Sequence, residues 1–218
     1  MALATTALLS CTIDDYEEGE GEYSLLTADF VRAHTNGSTL VDYVITDDGD
    51  SLRLTQPYAA KWASAPDTVY RAALYHKPSA TDSPFTTEAV SLGQVLTLMP
   101  HTKDFFKKGM VTDPVKLQSV WMSRNGAYLN IGMLLMTGTG DDDKARHTLA
   151  LLDDTLMVNA DNTKTRHLKL YHSQGGVPEY YSHLTYLSIP ASTIGADSVA
   201  LTVNTYAGTV TKTLRLNK

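Results

Sequence analysis

Short segments of strand-type sequence, separated by turn signals, recur along most of the 218-residue chain. Asn36-Gly37 and Asn125-Gly126 each lie between two such segments, and Asn-Gly is the strongest short-range signal for a β-hairpin. No segment of useful length carries the 3.6-residue hydrophobic period of a helix. The β-branched residues and the 12 tyrosines fit the pleated, half-buried surface of a sheet. The sequence therefore predicts an all-β protein.

The first part of the chain contains five predicted strands joined by long connections. They are Tyr23–His34, Thr39–Thr46, Ser51–Thr55, Val69–Lys77 and Val90–Pro100. Five strands with long connections are compatible with an OB-type Greek-key barrel. Residues 101–114 form the best boundary, because Asp113-Pro114 begins a new run of strands. We therefore predict an OB-like five-stranded barrel over residues 25–110.

Seven further predicted strands follow at even spacing. They are Val115–Arg124, Tyr128–Thr137, His147–Leu152, His167–Ser173, Tyr180–Ile189, Ser198–Tyr206 and Thr209–Leu216. Within Tyr128–Thr137 the apolar residues Leu129, Ile131, Met133 and Leu135 alternate, which places them on one face of a strand. Evenly spaced short strands are typical of a β-sandwich. The prediction for residues 111–218 is a seven-stranded β-sandwich.

The formal net charge of −6 is concentrated near the N-terminus. Residues 14–29 contain no Lys or Arg, and their acidic residues are Asp14, Asp15, Glu17, Glu18, Glu20, Glu22 and Asp29. The rest of the chain is nearly neutral. Neither part has the basic excess that attracts nucleic acid, so we predict no nucleic-acid partner. No apolar run reaches the roughly 18 residues that a transmembrane helix needs.

The single cysteine, Cys11, ends a short apolar segment. Leu8-Leu9-Ser10-Cys11 resembles the bacterial lipobox, in which the cysteine becomes the mature N-terminus and carries acyl chains. Residues 1–10 would then be the remnant of a signal peptide, and residues 11–24 a lipidated cysteine with an acidic tether. The segment before Cys11 lacks Lys and Arg. The alternative is therefore an N-terminus with an incidental cysteine.

More than one acyl chain gives stable membrane anchoring. The lipobox therefore predicts an outer-membrane lipoprotein that is held in the membrane by the acyl chains on Cys11. The acidic residues directly after Cys11 resemble the surface-export signal of Bacteroidetes lipoproteins. Residues 12–18 serve equally well as a soluble tether. Surface exposure and a periplasm-facing orientation both stay open.

Several segments resemble the NigD-like lipoproteins of Bacteroidetes. They are Asp67–Tyr75, Asn125–Ile131, Ile189-Pro190 and Asp197–Gly208. The resemblance extends over about residues 24–218 and implies a lipid-anchored cysteine, an N-terminal OB domain and a C-terminal β-sandwich. The family is named from its association with a bacteriocin system, and that association suggests an immunity role. It supplies no catalytic or ligand residues that could be transferred to this sequence.

The sequence contains no Gly-x-Ser-x-Gly elbow, no His-Glu-x-x-His and no phosphate-binding loop. We therefore predict a protein that is not an enzyme and has no cofactor. With one cysteine, a zinc site built from several thiolates is excluded. The acidic turns Asp47–Asp50 and Asp141–Asp143 could suggest calcium, but solvated turns are the favoured interpretation. The histidines, among them His167, His172 and His183, are interpreted as surface or half-buried strand residues.

One set of side chains could form a ligand-binding face on the barrel. Tyr43, Tyr70, Tyr75 and His76 could present an aromatic platform like those of OB domains that bind oligosaccharides. The alternative is that these tyrosines pack at the rim of the barrel. For an extracellular protein, a glycan or a protein is the more plausible ligand.

The leading functional hypothesis is a non-enzymatic envelope lipoprotein with a binding or protective role, immunity-like by resemblance. One alternative is an accessory or structural subunit of an envelope complex. Another is a surface carbohydrate-binding module that uses the aromatic platform.

Overall fold

The computed structural model describes residues 26–78, 85–140, 142 and 144–216. These residues form an all-β structure, which confirms the predicted fold class. The strands are β1 Thr27–Thr35, β2 Val41–Thr46, β3 Ser51–Tyr58, β4 Val69–Pro78, β5 Thr86–Gln94, β6 Leu96–Thr97, β7 Pro100–His101, β8 Lys116–Met122, β9 Tyr128–Thr137, β10 Thr148–Val158, β11 Lys164–Ser173, β12 Tyr181–Pro190, β13 Ser198–Thr205 and β14 Gly208–Arg215. Two short 3₁₀ turns occupy Lys103–Phe105 and Ala191–Thr193. None of the helices among these residues has the length and apolar character needed to span a membrane.

The first five strands close into a barrel in the order β1-β2-β3-β5-β4. The β3 and β5 strands pair in parallel, whereas the other neighbours are antiparallel. Alternating residues such as Val31, Ala33, Ala72 and Leu74 point inward and are fully buried in the barrel core. The predicted five-stranded barrel is therefore present. Its strand order is that of an OB-type Greek key.

The last predicted strand of the barrel, Val90–Pro100, is wrong in its bounds. The observed strand β5 ends at Gln94, and residues 96–101 leave the barrel. The N–H of Leu98 donates to the Ser188 carbonyl, and the short strands β6 and β7 pair in parallel with β12 and β10. Residues 96–101 thus pair with strands of the sandwich, although the predicted barrel domain, residues 25–110, includes them.

Two sheets form the C-terminal sandwich. One sheet has the order β14-β13-β11-β10-β7 and the other has the order β6-β12-β9-β8. All seven predicted strands are present as β8 to β14, and β6 and β7 extend the two sheets. The fully buried residues between the sheets include Leu129, Ile131, Met133, Leu168, Leu187, Ile189 and Leu201. The predicted alternation in β9 therefore places its apolar face in the core.

Candidate functional site

Three aromatic rings join the outer wall of the barrel to the sandwich. Phe30 of β1 meets Trp121 of β8 edge-on, with ring centroids 5.7 Å apart, and meets Tyr186 of β12 at 5.1 Å. The neighbouring Val31 points into the barrel core, so strand alternation turns Phe30 outward. Edge-to-face pairs contribute about 0.5–1.5 kcal/mol beyond their buried area. The two domains therefore share a packed junction.

A buried polar network lies in the same junction and is centred on Arg71 of β4. Its guanidinium donates to both carboxylate oxygens of Asp47, at 2.6 and 2.7 Å, and to Ser188 Oγ and Asn130 Oδ1 of the sandwich, at 3.0 and 3.1 Å. The same guanidinium lies 4.1 Å from the centre of the Tyr128 ring. Asn130 and Ser188 are fully buried, and Ser188 Oγ donates to Asn130 Oδ1. One cation thus links residues of both domains.

A second arginine, Arg32, stands directly opposite Arg71 across β1 and β4. Residues that face each other in an antiparallel pair share one face of the sheet, and like charges there are destabilising. Asp47 compensates the charge of Arg71. Arg32 makes no hydrogen bond or ion pair with a described residue, and its Nε is buried without a partner. The junction therefore holds one uncompensated cation.

Arg32 lines a cleft of about 780 Å³ between barrel and sandwich. The sandwich contributes the β8–β9 turn at residues 125–128, the segment 190–197, Lys164 and Leu216. The exposed Lys164 adds a second positive charge. The Asp197 carboxylate supplies one negative charge and accepts the backbone N–H of Lys164 at 2.8 Å. Clefts at domain junctions are preferred ligand sites, so this cleft is the candidate functional site.

His34, which follows Arg32 on the same outer face of β1, adds no charge at neutral pH. Burial first, and then the positive charge of Arg32, lower the pKa of His34 below its usual value. The ring stacks on Tyr43 with centroids 4.1 Å apart, and the Tyr43 hydroxyl lies 2.7 Å from Nδ1. Arg32 is therefore the main cation that the barrel presents to the cleft.

Asp29, His76 and Thr87 resemble a nucleophile–base–acid arrangement but are bonded differently. His76 Nε2 lies 2.8 Å from Asp29 Oδ2, and Nδ1 lies 2.7 Å from Thr87 Oγ1. The Thr87 hydroxyl donates to the Lys77 carbonyl at 2.9 Å, which can only accept. Thr87 Oγ1 must therefore accept a hydrogen bond from His76 Nδ1–H, and in this arrangement His76 cannot remove the proton of Thr87. Thr87 is also buried, so this group has a structural role.

The four residues predicted as an aromatic platform do not come together. Tyr43 and Tyr75 pair with positions of β1 that lie about 20 Å apart along the strand. Tyr70 packs edge-on against Trp62, and its hydroxyl accepts the Ala65 N–H. His76 is buried, whereas Tyr75 is exposed. A binding role for any one of them stays a prediction.

Other predicted sites have different outcomes. Cys11, Asp141 and Asp143 lie outside the described residues. The Asp47 carboxylate, which belongs to one candidate calcium turn, is engaged by Arg71. Among residues 26–78, 85–140, 142 and 144–216, no group of three or more His, Cys, Asp or Glu side chains could hold a metal ion.

His172 was predicted to be at the surface or half-buried, and this is wrong, because β11 turns it into the sandwich, where it is fully buried. Its Nδ1 donates to the Asp113 carbonyl at 2.9 Å, and its Nε2 lies 3.0 Å from His147 Nδ1. Burial and then the adjacent His172 lower the pKa of His147. Protonation of His147 is therefore disfavoured at this contact.

The residues that build the junction were not found from the sequence. Arg32, Arg71 and Asn130 each stand between apolar residues in a predicted strand. A polar residue in such a strand is a usable signal, since a buried charge requires a partner. The signal does not identify that partner, because Asp47 and Ser188 are distant in sequence.

A family model matches the sandwich, and solved structures match the fold of nearly the whole chain. The model of the NigD-like C-terminal beta sandwich domain matches residues 97–216. No curated protein matches the chain.

Solved structures share the fold of nearly the whole chain. A NigD-like immunity protein from Bacteroides caccae superposes with a TM-score of 0.66 at 21% identity, covering 87% of this chain and 92% of that one. A candidate toxin-related protein from Parabacteroides distasonis has a TM-score of 0.65 at 18% identity, covering 88% and 93%. A candidate lipoprotein from Bacteroides fragilis has a TM-score of 0.58 at 13% identity, covering 88% and 98%. At these identities the likeness is one of fold.

Proposed function

The chain belongs to the family defined by the NigD-like C-terminal beta sandwich domain, and from this membership we propose that it is a non-enzymatic binding protein of the cell envelope with a protective role. The cleft between barrel and sandwich is the proposed ligand site. The observation that carries the proposal is the buried Arg71 network, because it bonds Arg71, the cross-strand neighbour of Arg32, to Asn130 and Ser188 of the sandwich. A preorganised site binds its ligand without the entropic cost of ordering its walls.

The names of two similar structures support the two parts of this proposal. One is a NigD-like immunity protein, and another is a candidate lipoprotein. From the likeness to the immunity protein we infer a protective role for this chain. From the likeness to the lipoprotein we infer a lipid anchor at Cys11 in the outer membrane. The bonding of Thr87 supports the non-enzymatic part, since the Asp29–His76–Thr87 arrangement resembles a catalytic triad but leaves the Thr87 hydroxyl bonded to a carbonyl.

The protective role is tested by deleting the gene and challenging the strain with bacteriocin preparations from related strains. We expect the deletion to increase sensitivity and the native gene to restore protection. A Ser192→Trp variant fills the cleft from an exposed position and should fail to restore it. Thr213→Trp, exposed on β14 away from the cleft, is the matched control and should restore protection. Equal sensitivity of the deletion and parent strains would contradict a protective role.

The location is tested separately by protease treatment of intact cells. Native protein that is digested on whole cells is displayed at the surface, whereas membrane-bound protein that is protected faces the periplasm. A Cys11→Ala variant should leave the membrane fraction in either case. Retention of this variant in the membrane would contradict a lipid anchor at Cys11.

A further inference from the structure

The chemistry of the proposed ligand follows from the unpartnered arginine in the cleft. Arg32 Nε is buried and has no hydrogen-bond partner among the described residues, whereas buried polar atoms in proteins nearly always have one. The guanidinium has no acceptor function, so its missing partner must be an acceptor. The cleft in which it lies has room for a small molecule or for one group of a larger ligand, at about 780 Å³.

The charges around Arg32 indicate that this acceptor is anionic. Arg71 stands directly across the sheet, and its own counter-charge, Asp47, is held by a bidentate contact. Lys164 approaches the cleft from the sandwich with its own positive charge. On the sandwich side of the cleft, the Asp197 carboxylate accepts a hydrogen bond from the backbone N–H of Lys164. The cleft is thus locally basic in a chain whose formal net charge is −6.

We infer that the cleft binds an oxyanion, either a carboxylate or a phosphate, through the guanidinium of Arg32, with Lys164 as the second cation. This inference rests on the proposed binding role of the cleft and adds the chemical class of the ligand. The guanidinium presents parallel N–H donors that match two oxygens of one carboxylate or phosphate. An oxyanion would also offset the repulsion between Arg32 and Arg71.

The direct test is NMR of the ¹⁵N-labelled full chain during titration with sodium phosphate or sodium acetate, with sodium chloride at matched ionic strength as the reference. The Arg32 Nε–H is itself a probe, because it is buried. The backbone amides of Gly126 and Gly195 report the two sandwich loops that line the cleft. We expect saturable shifts at these positions with a Kd on the order of millimolar, as suits a single ionic contact.

Matched variants separate the cleft from general charge. Arg32→Gln should weaken binding about tenfold to 100-fold, the loss that corresponds to one charged hydrogen-bond pair. Arg53→Gln makes the same charge change at an exposed position of β3 outside the cleft and should bind like the native protein. The amide spectrum of each variant shows whether it is folded.

The two titrations distinguish the two sources of oxyanion. Shifts with phosphate alone support a phosphate ligand, shifts with acetate alone support a carboxylate, and shifts with both support a general oxyanion site. Shifts that match sodium chloride, or that persist in Arg32→Gln, would overturn the inference. The bacteriocin challenge does not depend on this result, so the oxyanion site and the protective role can fail independently.

Discussion

Replacing Asp47 with asparagine tests whether the buried network sets the stability of the junction. The Arg71 side chain is 1% exposed, and Asp47 supplies its only negative partner among the described residues. Breaking a buried pair from one side costs about 3–5 kcal/mol, because the remaining charge stays buried without compensation. We expect about 3 kcal/mol for Asp47→Asn, since the amide oxygen still accepts one hydrogen bond. That is a large share of the roughly 5–15 kcal/mol that stabilises a typical domain.

The adjacent residue provides the matched control for this experiment. Asp48 pairs with Arg124 at 3.0 Å, but these side chains are 46% and 80% exposed. Exposed pairs contribute about 0–1 kcal/mol, so Asp48→Asn should change the stability little. The same chemical change at two consecutive positions therefore separates burial from charge.

Urea unfolding, followed by tryptophan fluorescence, measures both variants. The chain has two tryptophans: Trp121 lies in the junction beside Phe30, and Trp62 packs on the barrel core. A loss for Asp47→Asn no larger than that for Asp48→Asn would refute the reasoning.

A double variant distinguishes a lost ion pair from a damaged fold. Asp47→Leu with Arg71→Met removes both charges together, and apolar replacement of a buried pair is often neutral or stabilising. The hydrogen bond between Ser188 and Asn130, 2.7 Å in the native protein, does not involve either replaced side chain, whereas Asn130 Nδ2 loses its bond to Asp47 Oδ2. We expect the double variant to recover most of the stability lost in Asp47→Asn. A double variant as unstable as the single one would show that packing, not charge, dominates at this position.

Three further predictions concern stability. Arg32→Gln should raise the urea midpoint by the equivalent of about 0.2–1 kcal/mol, because it removes a like charge opposite another cation, and a lowered midpoint would contradict this. Gly175→Ala should cost more than about 1 kcal/mol in thermal unfolding, because φ is +59° and the added Cβ would collide with the Arg146 carbonyl oxygen; native-like unfolding would contradict it. Burial and then His172 lower the pKa of His147, so the folded state binds that proton less readily than the unfolded chain. Stability should therefore fall as the pH drops from about 7 through the folded-state pKa, and urea midpoints of His147→Gln should fall less than those of the native protein.

The strands and the turn between β8 and β9 could be predicted because their signals are local. Asn125-Gly126 marks the hairpin of β8 and β9, and Gly126 adopts the positive φ of +70° that favours glycine. Alternation in β9 correctly predicted which face enters the core. The two-residue strands β6 and β7 could not be predicted, since they are defined by parallel pairing with β12 and β10 rather than by any pattern of their own.

The candidate site could not be predicted in the same way. The prediction placed Tyr43, Tyr70, Tyr75 and His76 on one face of the barrel, but Tyr43 and Tyr75 are offset along the sheet. The cleft depends on register, which places Arg32 opposite Arg71, and on domain packing, which brings Lys164 to the same opening. Neither follows from spacing along the chain.

Hydrophobic alternation and turn residues act over a few neighbours, and they were sufficient to indicate the all-β class, the barrel and the sandwich. The uncompensated charge of Arg32 has another origin. It arises because Asp47 reaches Arg71 and not Arg32, in a junction that also draws Asn130 and Ser188 from the other domain. Burial and electrostatic pairing are properties of the packed molecule, so only the assembled barrel and sandwich reveal which cation is left without a counter-charge.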